Sequence, residues 1–254
     1  HAVAMAGGMA KQGLIPVFAV YSSFLQRGFD MLIHDISLDK LHAVFCVDRA
    51  GLVGADGQTH HGCFDPAYLT QIPGMTVLCP ASFAELRDML RYAVCQVSGP
   101  VAIRYPRGGE RDYTAASDPA RCYITLRDGA DFTILSYGIL INEVLKAAEL
   151  LAEKGISVRV IKLNRIAPLS EADVASMLSG TRRLLVLEDC IAAGCVGEKV
   201  TCLAALAGVH LDKLVLKNCG DRLPNEGSVE ELDHALGLDA ASVATSIEEV
   251  LHEQ

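Results

Sequence analysis

Short apolar runs alternate with helical stretches along the whole chain. Each apolar run is three to six residues long and is bounded by turn residues, a composition typical of strands covered on both faces. The predicted strands span 16–20, 43–47, 75–78, 101–104, 132–136, 158–163, 184–188 and 214–216. The predicted helices span 1–12, 22–38, 82–97, 139–154, 170–179, 196–207, 228–236 and 241–252. Strands that alternate with helices predict parallel sheets with right-handed crossovers.

Turn and capping residues divide this pattern into two units. Ser22 or Ser23 is the predicted N-cap of the second helix, and Ser82 with Glu85 forms a predicted capping box. A polar stretch from 108 to 121, rich in Gly, Asp, Ser and Pro, is the predicted linker. We therefore expect an α/β protein of two domains, 1–110 and 122–254, each a doubly wound, mostly parallel sheet flanked by helices.

A polar loop from 47 to 62 interrupts the first unit. It contains four glycines, two aspartates, one arginine and two histidines within 16 residues. A loop this long is more often functional than a simple connection. Asp48 and Arg49 follow directly on a predicted buried strand, at the edge of a parallel sheet where ligands bind. The alternative is a flexible surface loop.

Other polar and aromatic residues follow neighbouring strands of the same unit. Tyr21 and Phe24 come after the first strand, and Arg107 comes after the strand that ends near Arg104. Two arginines at one sheet edge are suited to a phosphate or carboxylate, because guanidinium groups donate paired, charge-assisted hydrogen bonds. The alternatives are a core role for Phe24 and a linker salt bridge for Arg107.

Composition narrows the class of protein. Hydrophobic side chains make up 51% of the 254 residues, enough for a sizeable core. The formal net charge of −9 argues against a general nucleic-acid binder, because phosphate backbones require a basic surface. No apolar run reaches the roughly 18 residues of a spanning helix, so no membrane association is expected. The nine cysteines are scattered without a Cys-x-x-Cys pair, which predicts reduced thiols in a cytoplasmic protein and no metal site.

Three strings carry a family resemblance: Tyr21-Ser-Ser-Phe-Leu-Gln-Arg27, Asp48-Arg-Ala-Gly-Leu-Val-Gly-Ala-Asp-Gly57 and Ile103-Arg-Tyr-Pro-Arg-Gly108. They resemble the 1-deoxy-D-xylulose-5-phosphate synthases, which are thiamine-diphosphate enzymes of the transketolase superfamily. The resemblance extends over essentially the whole chain. It implies that 1–110 is most of a pyrimidine-binding domain, truncated at its N-terminus, and that 122–254 is the transketolase C-terminal domain.

The resemblance also implies an activity and roles for residues. The reaction joins pyruvate to glyceraldehyde 3-phosphate with loss of carbon dioxide, in a homodimer. Phe24 would stack on the cofactor's aminopyrimidine, while Tyr21, Arg49 and Arg107 would hold the acceptor phosphate. Asp56 and His60 would orient the intermediate and move protons, and Arg27 would support the site from its helix. Thiamine diphosphate and Mg²⁺ would be bound mainly by an N-terminal domain upstream of His1.

Two departures from the family pattern leave alternatives open. By the resemblance, the glutamate that acts on the cofactor's pyrimidine belongs two residues before His1, outside the sequence given. The segment from Glu188 to Gly197 and the residues Asn225-Glu226-Gly227 also differ from the family's loops. The chain could instead be a split transketolase-like or E1 beta-type subunit, or a non-enzymatic module for dimerisation or for binding a phosphorylated metabolite.

We predict that the 254-residue chain by itself binds thiamine diphosphate weakly and catalyses no carboligation. Stacking on Phe24 would contribute about 1–3 kcal/mol, which corresponds to a millimolar dissociation constant or weaker. Calorimetric titration with thiamine diphosphate and Mg²⁺ measures this constant. A micromolar value would contradict the division of the site between domains.

Overall fold

The computed structural model describes residues 1–252 and contains two five-stranded sheets flanked by helices. The first sheet has the order β1-β2-β4-β3-β8, and only β8 is antiparallel to its neighbour. Its strands are β1 (Val17–Tyr21), β2 (Val44–Asp48), β3 (Thr76–Leu78), β4 (Val101–Arg104) and β8 (Arg165–Ala167). The central strands β2 and β4 are buried along nearly their whole length, as their continuous apolar composition predicts.

The second sheet has the order β10-β9-β6-β7-β5, and only β5 is antiparallel. Its strands are β5 (Tyr123–Arg127), β6 (Phe132–Tyr137), β7 (Val158–Leu163), β9 (Arg183–Leu187) and β10 (Lys213–Lys217). The predicted fold class, two mostly parallel α/β sheets, is therefore confirmed. The antiparallel strands β5 and β8 were not predicted, because β5 is a half-exposed edge strand and β8 has only three residues.

Helices cover these sheets at the predicted places, except for the short helix at 65–69, which was not predicted. They are α1 (Ala2–Lys11), α4 (Asp65–Leu69), α5 (Phe83–Cys95), α6 (Ile141–Glu153), α7 (Glu171–Met177), α8 (Val196–Leu206), α9 (Val229–Ala235) and α10 (Ala240–His252). Ser170 and Ser228 form reciprocal capping boxes at the starts of α7 and α9. No helix among the described residues has the length and apolarity needed to cross a membrane.

The helical segment after β1 is less regular than predicted. It consists of α2 (Ser22–Leu25), a 3₁₀ turn, α3 (Phe29–Met31) and a π-helical stretch, Leu32–Ser37. The predicted N-cap at Ser22 or Ser23 is wrong, because Tyr21 occupies that position without a side-chain cap. Ser22 Oγ instead donates to the buried Asp65 Oδ1 over 3.0 Å.

One hydrophobic core connects the two sheets. The largest buried cluster includes Leu25 and Phe45 from the first half together with Tyr137, Ile161 and Val186 from the second. The strand β8 also crosses from the second half of the chain to pair with β3. The two sheets therefore share a core, and the second half of the chain contributes a strand to the first sheet.

A buried ion pair reinforces this connection. Lys162 Nζ lies 2.9 Å from Glu85 Oε2, and both side chains are fully buried. Glu85 also accepts hydrogen bonds from Tyr113 Oη and Ser117 Oγ, at 3.1 and 2.7 Å. Burial lowers the pKa of Lys162, and the charge of Glu85 partly offsets this.

The Glu85 contacts correct the predicted capping box. Ser82 Oγ accepts from the Glu85 amide over 3.1 Å, as a capping box requires. The Glu85 carboxylate, however, accepts from the Ala81 amide and pairs with Lys162 instead of returning to the Ser82 amide. A buried ammonium group without a carboxylate partner would carry a large desolvation cost, so the pairing with Lys162 prevails.

We predict that Glu85→Ala lowers the free energy of unfolding by about 3–5 kcal/mol, because it leaves the Lys162 charge buried without its partner. The control is Asp212→Ala, which breaks the exposed Arg182–Asp212 pair and should cost at most about 1 kcal/mol. Urea denaturation measures both. A loss for Glu85→Ala no larger than the control's would contradict the prediction.

Candidate functional site

The carboxyl ends of β1, β2 and β4 bring the candidate residues to one edge of the first sheet. Tyr21, the last residue of β1, pairs with Asp48, the last residue of β2, and Val47 pairs with Arg104 at the end of β4. The loops that leave these strand ends carry the other candidate side chains. This geometry follows from the parallel register of the strands.

Arg49 leaves β2 in a strained backbone conformation. Its φ angle is +59°, in the left-handed region that non-glycine residues rarely occupy. Asp48 stabilises the turn, since its Oδ1 accepts from the Arg49 amide at 2.7 Å and its Oδ2 from Arg49 Nη1 at 3.0 Å. The turn places the Arg49 guanidinium over the ring of Tyr21, 3.7 Å from the ring centroid.

Asp56 lies between two arginines. Its Oδ2 accepts from Arg49 Nε and its Oδ1 from Arg107 Nη1, each at 3.0 Å. The hydrogen bond from Arg49 lowers the pKa of Asp56, and the same bond raises the pKa of Arg49. Within the described chain, Nη2 of each arginine makes no hydrogen bond to protein, so both guanidinium groups can still donate to an anion.

Two aromatic rings and a histidine lie beside the arginines. The Tyr21 and Phe24 rings stack with centroids 5.3 Å apart, and the His60 ring meets Phe24 edge-on at 5.5 Å. Phe24 is 54% exposed, so much of its ring is open to solvent. Thr59 Oγ1 lies 2.9 Å from His60 Nδ1 and holds the imidazole in place.

Six of the seven candidate residues thus come together: Tyr21, Phe24, Arg49, Asp56, His60 and Arg107. Arg27 does not join them. It is exposed in the 3₁₀ turn after α2 and makes no hydrogen bond or ion pair within residues 1–252. No hydrogen bond or ion pair within residues 1–252 accounts for the supporting role predicted for Arg27.

A cavity of about 310 Å³ opens beside the arginines. Its polar lining includes Arg49, Arg107 and Glu110, while Phe83 and Ile139 belong to its apolar lining. The exposed faces of Phe24 and His60 lie outside this cavity. The arginines therefore lie between an exposed aromatic surface and a partly open pocket.

The loop that carries Asp56 and His60 is closed at its base by backbone hydrogen bonds. Gly51 and Gly62 exchange two N–H···O bonds, of 2.8 and 2.7 Å. A Cβ atom at Gly62 would lie 2.1 Å from the carbonyl oxygen of Arg49, so only glycine fits there. At Gly51 a Cβ atom would collide with Asp189 of the second half.

The two adjacent histidines of the loop have different surroundings. His60 faces the aromatic rings, whereas His61 is 3% exposed and bonds backbone atoms on both sides. Its Nδ1 lies 3.2 Å from the Val53 amide and its Nε2 lies 2.9 Å from the carbonyl oxygen of Asn225. The sequence did not distinguish the two rings.

Beneath the site, Arg104 is buried between two carboxylates. Its Nε donates to Asp65 Oδ2 at 2.8 Å, its Nη1 donates to Asp189 Oδ1 at 3.0 Å, and its guanidinium lies 5.3 Å from the Tyr137 ring centroid. Burial alone would lower the pKa of Arg104, but the charges of Asp189 and Asp65 outweigh it and hold the pKa above its ordinary value. Sequence reasoning missed this group; the available signal was an arginine ending an otherwise apolar strand.

The corresponding edge of the second sheet is filled by protein. Strand β6 has β7 on one side and β9 on the other, so the crevice where ligands bind in such sheets lies at the ends of β6 and β9. Glu188 occupies it, accepting from Tyr137 Oη and from the Val196 and Gly197 amides at the start of α8. This carboxylate takes the place that an anionic ligand would have at the helix N-terminus.

A second cavity, of about 340 Å³, lies between the two halves. Arg107, Arg111, Glu230 and Asp233 are in its wall. Asp233 is 5% exposed and its carboxylate has no hydrogen-bond partner within residues 1–252. Burial, together with nearby acidic charges and opposed by Arg111, raises the pKa of Asp233 to about 7.

Comparison with known proteins gives two family matches. The transketolase pyrimidine-binding domain matches residues 1–111, and the transketolase C-terminal domain matches residues 123–243. Together the matches include every candidate residue.

Individual relatives agree with these matches. The chain is 40% identical over 257 residues to a 1-deoxy-D-xylulose-5-phosphate synthase of Halalkalibacterium halodurans, covering 99% of this chain and 40% of that protein. It is 39% identical over 255 residues to the enzyme of the same name from Chlorobium luteolum, covering 98% of the chain and 40% of the relative. The chain therefore spans about 40% of the length of these relatives.

Among solved structures, the fold is similar to a split-gene transketolase described as an inactive beta4 tetramer. The TM-score is 0.83 at 25% identity, and the alignment covers 98% of this chain and 79% of that one.

Asp233 should make the stability of the chain depend on pH. Between about pH 4 and 7 the folded chain keeps the Asp233 proton while the unfolded chain has released it, so stability falls as pH rises through this window. Asp233→Asn should remove this fall and raise the free energy of unfolding at pH 8 by roughly 2–4 kcal/mol, with little change at pH 4. Urea denaturation at both pH values measures the effect. Equal changes at pH 4 and pH 8 would refute it.

Proposed function

Because the chain belongs to the transketolase family, we propose that it forms the pyrimidine- and acceptor-binding part of a 1-deoxy-D-xylulose-5-phosphate synthase. The proposed reaction joins pyruvate to glyceraldehyde 3-phosphate with loss of carbon dioxide. The observation that carries the proposal is Asp56 held between Arg49 and Arg107, next to the stacked rings of Tyr21 and Phe24 and the imidazole of His60.

The acceptor phosphate is assigned to the two arginines. Arg107 is 45% exposed at its side chain and uses one of its nitrogens for Asp56. Arg49 uses Nε and Nη1 for carboxylates and keeps Nη2. Because each guanidinium group already bonds Asp56, a phosphate can bind them with less further ordering. Tyr21, whose ring lies under the Arg49 guanidinium, would donate a further hydrogen bond to the phosphate from its hydroxyl group.

The aromatic surface fits the cofactor that the family uses. Phe24 presents an exposed ring, already oriented by Tyr21, to which a flat aminopyrimidine can stack. When bound, thiamine diphosphate supplies the electron sink for decarboxylation and carbon–carbon bond formation. We assign the diphosphate and Mg²⁺ to the family's N-terminal domain, which the resemblance places upstream of this chain.

His60 and Asp56 are the proposed catalytic pair. Imidazole is suited to exchanging protons near neutral pH, and the His60 ring lies against the Phe24 ring on which the cofactor would stack. Asp56 would orient the hydroxyl groups of the acceptor while it holds the arginines. Arg27, exposed on the same helical segment as Phe24, would attract the anionic substrates by its charge.

A second candidate is a split transketolase-type subunit that acts with a separate partner chain. It is favoured by the similarity of almost the whole chain to a split-gene transketolase. Co-purification with a separately encoded diphosphate-binding chain would support it, whereas a single longer polypeptide in the source cell would exclude it.

In either form we propose a cytoplasmic homodimer or dimer-based assembly. An absence of turnover by the complete assembly would instead support a non-enzymatic module, for dimerisation or for binding a phosphorylated metabolite.

In the complete enzyme, Arg49→Ala or Arg107→Ala should raise the KM for glyceraldehyde 3-phosphate by about 10- to 150-fold, since a charge-assisted bond contributes about 1.5–3 kcal/mol. The KM for pyruvate should change by no more than about threefold, because pyruvate has no phosphate. Arg121→Ala, an exposed arginine of the linker, is the matched control. Steady-state kinetics with each substrate varied in turn measures both constants, and equal effects on them would refute the assignment.

A further inference from the structure

His61 connects the loop of the candidate site to the second half of the chain. Its Nδ1 accepts from the Val53 amide at 3.2 Å, so this nitrogen carries no hydrogen. The hydrogen is therefore on Nε2, which donates to the carbonyl oxygen of Asn225 at 2.9 Å. Only the neutral imidazole with its hydrogen on Nε2 satisfies both backbone partners.

The segment that this imidazole closes contains both proposed catalytic side chains. Between Val53 and His61 the chain makes two 3₁₀ turns, Gly54–Asp56 and Gln58–His60. Short 3₁₀ turns have few internal hydrogen bonds, so their position depends on contacts with neighbouring structure.

Asp56 and His60 contact first-half residues, and the second half supplies further contacts along one stretch. Gln58 Nε2 donates to Asn225 Oδ1 over 3.3 Å at the surface. A Cβ atom at Gly54 would lie 3.2 Å from the carbonyl oxygen of Gly227. Of these contacts, the one made by His61 comes from a side chain that is only 3% exposed, and it reaches a backbone carbonyl oxygen of the second half.

We propose that His61 is a positioning residue, which fixes the loop bearing Asp56 and His60 against the 225–227 segment of the second half. The second half would then contribute to the active site by holding this loop, although none of its side chains belongs to the proposed catalytic group. This inference deepens the proposed function and depends on it only for the kinetic consequence.

Two substitutions separate the two hydrogen bonds of His61. His61→Asn keeps an acceptor near the position of Nδ1 and loses the donor to Asn225. His61→Gln places an amide nitrogen near the position of Nε2 and keeps that donor. The matched control is His42→Asn, which removes another partly buried histidine that bonds a backbone carbonyl, at Ala93, remote from the site.

Hydrogen–deuterium exchange on the 254-residue chain tests the proposal without any activity. His61→Asn should speed exchange of the 54–61 and 225–227 amides by about tenfold or more, since it opens this contact locally. In His61→Gln these amides should stay within about threefold of the original chain, and in His42→Asn they should be unchanged. Equal exchange in all four proteins, or equal acceleration in Asn and Gln variants, would overturn the proposal.

Nitrogen NMR of the original chain gives a test that needs no variant. The His61 imidazole should show a single neutral tautomer with its hydrogen on Nε2. A hydrogen on Nδ1 would overturn the proposal, even if the His61 variants fail to fold.

In the complete enzyme, His61→Asn should lower kcat by about tenfold or more and His61→Gln should restore it. The KM for the phosphorylated acceptor should rise as well, because Asp56 of this loop bonds both Arg49 and Arg107. Faster exchange in His61→Asn with unchanged kcat would support the positioning contact and refute the catalytic role of the loop. Failure of the positioning proposal is therefore distinguishable from failure of the proposed function.

Discussion

The buried guanidinium of Arg104 is the interaction on which the candidate site depends. It bonds Asp65, which starts the helix after the polar loop, and Asp189, which follows a central strand of the second sheet. Asp65 in turn accepts from Ser22, the first residue of the helix that carries Phe24. Removing one member of such a group leaves a charge buried without its partner, which typically costs about 3–5 kcal/mol. One side chain thus fixes three of the segments from which the site is built.

The position of Arg104 also bears on why the candidate site lies at the strand ends of the first sheet and not at those of the second. Both sheets have the topology that commonly binds ligands at its strand ends, but the strand ends of the second are occupied by Tyr137, Glu188 and Asp189. Asp189 bonds Arg104 of the first half, whereas Glu188 bonds Tyr137 and two backbone amides of its own half. The second half therefore packs against the 47–62 loop of the first half and contributes to its position.

The electrostatics of the site run against the charge of the whole chain. With a net charge of −9, the protein repels anions at long range, yet Arg49 and Arg107 concentrate positive charge at one sheet edge. Asp56 keeps the two guanidinium groups from repelling each other and orients them. The same carboxylate would compete with an incoming phosphate, so the site balances preorganisation against affinity.

The sequence by itself determined the fold class and most of the elements, because buried parallel strands are continuous apolar runs and helix starts carry capping residues. It also placed Tyr21, Asp48 and Arg107 at one sheet edge, since neighbouring parallel strands end together. The chemistry proposed for them came from the family resemblance, and the geometry alone does not determine it.

The tertiary structure alone decided which polar residues are buried and what they bond. Lys162 and Arg104 lie in strands whose pattern gave no partner, and their carboxylates come from positions 77 and 85 residues away in the sequence. His60 and His61 are neighbours of the same type, but one faces an open aromatic surface and the other is enclosed by the second half. Such differences depend on contacts between distant segments, which local patterns of hydrophobicity, capping and spacing do not encode.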